Sequence, residues 1–318
     1  MLDGKVPRIR LTWHIRLPVP HEHRVSRALM TDIGTRQRRL ANYQYIGLHD
    51  RDEIWGGFRD ENAHLACVRH LELCLHDKQM CEQAGNILAC TRNLTRLDVE
   101  GHRSIDDDAN LAIWQLILRT FSVEHELPHL RSLRLKGLRL IHDDDTVSQL
   151  LGLRDLEHLQ LILCRDYIAF LMMIGGASLK LKSFTLCEVG FAGGSEFDAH
   201  AEDFVRSMDS LQRLSLILDP DLVGPDGSLF DWSILHAHAA GIKSLKVHRT
   251  SPHRLISVYQ NGSSFRHFFT KASSLQQLSI SGIALEPSLL RYWPCSLAHL
   301  LVCLRFSQPK TILSLTDI

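Results

Sequence analysis

Residues 130–161 read LRSLRLKGLRLIHDDDTVSQLLGLRDLEHLQL, and the two ends of that stretch carry one six-residue design, LRSLRL from Leu130 and LEHLQL from Leu156. In each copy leucine holds the first, fourth and sixth places and polar residues fill the others. Alternation over the last three places describes a short strand with one face on a core and the other in solvent. The additional leucine upstream is an anchor tucked under the turn that leads in. The design recurs in both directions, as VRHLEL from Val68, LTRLDV from Leu94, LKSFTL from Leu181, LQRLSL from Leu211, IKSLKV from Ile242, LQQLSI from Leu275 and LAHLLV from Leu297. Successive starts lie 26, 36, 26, 25, 30, 31, 33 and 22 residues apart. Of the 27 anchor positions 20 are Leu, and 25 of the 27 intervening positions are polar or charged, the exceptions being Ala298 and Leu301. A composition that is 45% hydrophobic does not give that contrast by accident.

Helical signals lie between these segments. DDDANLAIWQLILRTF sets Leu111, Trp114, Ile117, Leu118 and Phe121 on one stripe behind an acidic cap at Asp106 to Asp108. DAHAEDFVRSM does the same with Ala201, Phe204, Val205 and Met208 after Asp198. Ser251-Pro252 ahead of HRLISVY reads as an N-cap with proline at the first helical position, and Asp231, Asp166 and Asp143 to Asp145 are further candidate caps. A unit of strand, turn and helix cannot bury its apolar face alone. Neighbours are expected to stack into a parallel sheet on a concave side with helices on the convex side.

Over roughly residues 64 to 306 this pattern resembles leucine-rich-repeat proteins, and among them the long, irregular, helix-bearing repeats of the ribonuclease-inhibitor and F-box types. The resemblance implies an α/β horseshoe solenoid. The Asn or Cys that in such repeats follows the third anchor by three residues is met only by Cys164; the other copies have His76, His102, Leu138, Val189, Asp219, Thr250, Ile283 and Arg305 there. A regular ladder of side chain to backbone hydrogen bonds is therefore not expected. Residues 1–63 are expected to form a cap or partial first repeats, since Val6, Ile9 and Leu11 repeat the anchor spacing, and 307–318 a tail. RLTWHIRLPVP ahead of irregular repeats is similar to fungal F-box-like proteins. In those proteins an F-box precedes the repeats, whereas only a few residues stand before the first candidate strand here. The expectation is that the F-box is absent and that adaptor binding does not carry over.

The 36 basic and 36 acidic residues cancel, so no global field draws the chain to nucleic acid or to an anionic membrane. The N-terminal MLDGKVPRIRLTWHIRLPVP scatters charge and proline where a secretion signal needs an apolar run, and no stretch is apolar enough to span a bilayer. A cytoplasmic or nuclear location follows as the expectation. The eight cysteines, with no CxxC pair, read as reduced thiols, and the sequons at Asn93 and Asn261 read as chance matches.

Chemistry-bearing groupings are few. His125-Glu126-Leu127-Pro128-His129 matches HExxH, in which two histidines one helical turn apart hold zinc, and a zinc hydrolase is the distant alternative function. Pro128 cannot continue a helix, and the string runs directly into the LRSLRL strand, so a turn is expected. Cys67, Cys74 and Cys81, interspersed with His64, His70 and His76, diverge in the repeat register. His21/His23 and His236/His238 are ordinary spacings among 19 histidines. No GxSxG elbow and no phosphate loop is present; Gly175-Gly176 and Gly190 to Gly194 read as turns. No catalytic, cofactor or metal residue is assigned.

The surface expected to act is the concave face. Across the strands its charge begins with Glu72, Asp98 and Glu100, switches to Arg134 and Lys136, and returns to positive at Lys246. The position after the third anchor is Ile162, Cys187 and Ile217 in three successive repeats, flanked by Glu100, Lys136, His248 and Ser281. Strands lie ~4.8 Å apart, so such residues would make an apolar strip on a polar face, and exposed strips mark binding surfaces. The function expected is protein recognition, with the F-box-type resemblance implying ubiquitin-ligase subunits as partners; a regulatory interaction protein outside ubiquitin transfer is the alternative.

Overall fold

The computed structural model describes residues 45–48, 68–75, 78–101, 113–115, 129–140, 153, 155–175, 179–188, 199–218, 232–249, 256–257, 262–281, 283–284 and 291–303. The 307–318 tail, most of 1–63, the Gly190 to Gly194 run and the caps Asp106 to Asp108, Asp143 to Asp145, Asp198 and Asp231 lie outside the described residues. The chain divides into two compact units, one running to Lys180 and one from Leu181.

The first unit carries β1 (Tyr45–Leu48), β2 (His70–Leu75), β3 (Arg96–Gly101), β4 (Ser132–Lys136) and β5 (His158–Ile162), each parallel to the next. Register never slips: His70, Arg96, Ser132 and His158, the third residue of each segment, lie opposite one another. Tyr45 lies opposite His70, so β1 is a further copy of the strand, with Ile46 and Leu48 opposite Leu71 and Leu73. The inward anchors Leu71, Leu73, Leu97, Val99, Leu133, Leu135, Leu159 and Leu161 are buried, as are the first anchors Val68, Leu94, Leu130 and Leu156. The amides of Leu94 and Leu156 donate to the carbonyls of Thr91 and Leu153, which closes the turn over each first anchor.

Backbone bonds at the strand starts take the place of the sparse side-chain ladder. The Arg69 carbonyl accepts from both Thr95 and Arg96 N–H, the Thr95 carbonyl from Arg131 and Ser132, and the Arg131 carbonyl from Glu157 and His158. Each repeat is thus stitched to the next by one oxygen that takes two amides. Where the side-chain position is filled, at Cys164, the thiol donates to the Leu135 carbonyl at 3.4 Å. Behind the strands, α1 (Lys78–Cys90) turns Met80, Ala84, Ile87 and Leu88 inward at helical spacing, and Thr91 closes its end by donating Oγ1–H to Leu88 O at 3.0 Å. In α2 (Tyr167–Gly175), Tyr167, Phe170, Leu171 and Ile174 are buried, with Phe170 edge-on to Trp114 at 5.4 Å between centroids. Asp166 stands immediately before α2, in the cap place read from the sequence, with a left-handed φ of 53°. Gly137 has φ 66°, and a Cβ there would come within 2.7 Å of the Gly101 carbonyl oxygen. Only glycine fits that close approach.

In the second unit β6 (Ser183–Cys187), β7 (Arg213–Leu218) and β8 (Ser244–Arg249) continue the same parallel pattern. A short strand, β9 (Ile256–Ser257), follows; β10 (Gln277–Ser281) pairs with β8, β11 (Ile283–Ala284) pairs with β9, and β12 (His299–Cys303) pairs with β10. The paired amides return here, on the carbonyls of Lys182, Gln212, Lys243 and Gln276. Helix α3 (Ala199–Arg206) buries Ala201, Phe204 and Val205, as its apolar spacing predicts, with Met208 buried just beyond it and Phe204 edge-on to Phe184 at 5.5 Å. A 3-10 helix, Trp232–His238, packs on α4 (Gly262–Lys271) through Trp232 against Phe265, Phe268 and Phe269.

The helix expected over HRLISVY is corrected, because Ile256–Ser257 is a strand and the helix begins later, at Gly262. Ile256, Val258 and Tyr259 are β-branched or aromatic, which favours the extended chain over the proline cue. Parallel strands alternating with helices in unshifted register make the chain an α/β solenoid of leucine-rich repeats. Among the described residues no helix is long and apolar enough to cross a membrane.

Candidate functional site

The face opposite the buried anchors carries three rows of side chains, one from each outward place of the strands. In the first unit the middle row is Glu72, Asp98, Arg134 and Gln160, and the outer row is Cys74, Glu100, Lys136 and Ile162. The acidic and basic residues expected there are present, but as partners rather than as separate poles. Glu100 and Lys136 lie opposite each other on β3 and β4 and form an ion pair.

Asp98 needs a correction. It lies on the predicted face, yet it is 3% exposed and so is not offered to a partner protein. Arg96 covers it, donating Nε–H at 2.9 Å and Nη2–H at 2.7 Å to its two oxygens, while His70 Nε2 lies at 3.3 Å and Arg134 Nη1 at 4.0 Å. Burial works against the Asp98 charge, but the hydrogen bonds from His70 and Arg96 outweigh it and hold the carboxyl below its ordinary 3.8. Sequence reasoning places His70 only in the cysteine and histidine grouping and leaves Arg96 out. Their signal was available, since Arg96 and Asp98 are two apart in a strand and share a face.

His70, Glu72 and Asp98 bring one ligand atom each within 4.8 Å, a spacing that a cation could use. Arg96 already occupies both Asp98 oxygens, and Arg134 adds a second positive charge beside them. The arrangement is an ion-pair node that ties β2, β3 and β4 together. Of the cysteine and histidine grouping read from the sequence, Cys74 faces outward on β2 and Cys81 is buried on α1, while Cys67, His64 and His76 lie outside the described residues. Of HELPH only His129 is described, exposed in a turn directly before the buried anchor Leu130. His236 and His238 point apart in their bonding, Nε2–H of the first donating to Ser264 O at 3.0 Å and that of the second to Val205 O at 2.8 Å.

In the second unit the outward places are mostly uncharged. Thr185, Ser215, Lys246 and Ser279 fill the middle row, with Ser215, Lys246 and Ser279 in register. Lys246 makes no ion pair among the described residues. His248, one row over, bonds Ser279 Oγ at 2.7 Å, and burial first, then the nearby Lys246 charge, holds its pKa below 6.5.

The outer row holds the apolar residues read from the sequence. Cys187 and Ile217 lie directly opposite each other on β6 and β7, both half-buried. Ile162 takes the same place at the end of β5, opposite Lys136 on β4, and is also half-buried. The backbone just after Ile162 is unusual, because Leu163 has a φ of 55°. A left-handed residue with a bulky side chain costs roughly 1–2 kcal/mol. It ends the strand abruptly and leads to Arg165, which forms a bridge with Arg139.

The repeats define a leucine-rich-repeat solenoid whose outward strand places are mostly polar. No family model matches the chain, and no curated protein matches it. Among solved structures it is similar to internalin C2 of Listeria monocytogenes, at 13% identity over 77% of this chain and 84% of that one, with a TM-score of 0.40. It is also similar to a Bacteroides fragilis protein, at 11% identity over 88% of this chain and 81% of that one, with a TM-score of 0.31.

Proposed function

We propose that the chain is a protein-recognition scaffold that takes its partner on the open face of the strands. The observations that carry this reading are Cys187 and Ile217, which sit opposite each other at the outer place of the second unit, and Ile162, which holds the corresponding place in the first, among mostly polar outward residues. Binding energy concentrates in a desolvated apolar centre, while polar neighbours exclude water and set orientation. Glu72, Arg134, Lys246 and the Glu100–Lys136 pair are assigned to that polar surround; Asp98 acts beneath it, by holding Arg96 and His70 in place. No reaction is assigned to the chain. The resemblance of its repeats to those of F-box-type proteins makes ubiquitin-ligase substrate recognition the first pathway to test, by asking whether ligase subunits co-purify.

The experiment is to identify the co-purifying protein and measure its affinity for Ile162→Asp/Ile217→Asp. Affinity should fall more than tenfold, which is over about 1.4 kcal/mol, with a cooperative thermal transition retained. A folded double variant that binds normally would place the interface elsewhere.

A further inference from the structure

The exposed side of α4 offers a second, separate surface. Its inward stripe is Phe265, Phe268 and Phe269, which leaves Arg266, His267, Thr270 and Lys271 outward, with no acidic residue anywhere in the helix. Tyr292, in the segment before β12, comes up beside it. The guanidinium carbon of Arg266 lies 4.8 Å from the Tyr292 ring centroid, and that of Arg291 lies 4.8 Å from the same centroid. The two cations are therefore no farther apart than twice that distance. Both arginines are exposed, and neither they nor Lys271 make an ion pair among the described residues. His267 sits against His236 at 4.4 Å between rings.

Like charges gathered on one ring repel where no acidic side chain among the described residues pairs with them, and the negative face of the phenol ring offsets only part of that cost. An anion bound to both guanidinium groups would relieve it. Each guanidinium presents a planar set of donors matched to a carboxylate, and the ring contact fixes its position before binding. The cations form a compact cluster on one helix and one turn, not a long basic stripe that could track a nucleic-acid backbone. We infer that Arg266 and Arg291, held on Tyr292 with Lys271 at the end of the same helix, form a docking site for an acidic peptide segment of a partner protein, independent of the sheet face.

The test is fluorescence anisotropy on the full chain with a labelled Glu-Glu-Asp-Glu-Glu peptide, its Gln/Asn counterpart and an oligothymidylate of equal charge. The acidic peptide should bind at least tenfold tighter than the amide peptide and tighter than the oligonucleotide. Arg266→Gln/Arg291→Gln should remove that preference at an unchanged melting temperature, while Lys246→Ala on the sheet face should leave it intact. Equal binding of acidic and amide peptides, retention of the preference in the double variant, or stronger binding of the oligonucleotide would each overturn the assignment. Because Arg266→Gln/Arg291→Gln leaves every outward strand residue unchanged, failure here is separate from failure of the Ile162/Ile217 experiment.

Discussion

Leu161 and Ile162 are adjacent on β5 and face opposite ways, the first fully buried and the second half-buried beside Lys136. Truncating each to Ala removes the same number of carbons, so the difference in cost reports the face alone. For Leu161→Ala the lost transfer energy is about 2.4 kcal/mol, at ~0.8 kcal/mol per carbon. Incomplete collapse around the vacated volume raises the total to about 3–4 kcal/mol. Ile162 already shares its surface with water, and its alanine variant should lose roughly 1 kcal/mol or less. Urea titration followed by circular dichroism should then separate the two variants by about 2 kcal/mol at unchanged slope. Equal costs, or the reverse order, would mean that the outward and inward faces of β5 are exchanged by a one-residue slip, and the apolar outer place would vanish with them.

The Asp98 node gives a pH signature. Its depressed carboxyl contributes stability that is present above the unfolded value of 3.8 and is lost as pH falls through the lower folded value. Asp98→Asn should therefore cost about 1.5–3 kcal/mol at neutral pH and blunt the acid limb of a stability profile below about pH 4; an unchanged limb would detach Asp98 from the Arg96 and His70 bonds. Gly137→Ala forces a Cβ to within 2.7 Å of the Gly101 carbonyl at a left-handed φ, and a loss of at least about 2 kcal/mol in thermal or urea unfolding is expected. An alanine variant of native stability would contradict that close approach.

All nine segments read from the sequence form strands, because leucine at the anchors and polar residues between them encode both strand and face. The copy at Tyr45–Leu48 escaped, since Tyr43 replaces the leading leucine and Gly47 weakens the alternation. Helix α4 escaped for a different reason: its phenylalanine stripe at 265, 268 and 269 follows Gly262-Ser263-Ser264, which reads as a turn, and Ser251-Pro252 drew attention upstream. The face residues were legible by parity, but their pairing was not. Which charges neutralise each other depends on strands 26 and 36 residues apart in the chain, a distance that no local pattern encodes.

The unshifted register has a consequence for how such a chain can change over generations. Intervals between strands range from 22 to 36 residues, yet in each unit the same place in every segment still meets its counterpart on the next strand. Insertions and deletions are absorbed in the segments between the strands, while buried anchors and doubly accepting carbonyls, such as those of Arg69, Thr95, Lys182 and Gln212, fasten the strands themselves. An outward residue can therefore be exchanged without altering the spacing of its neighbours, so a lineage can rewrite what the face recognises one position at a time while inheriting the scaffold whole.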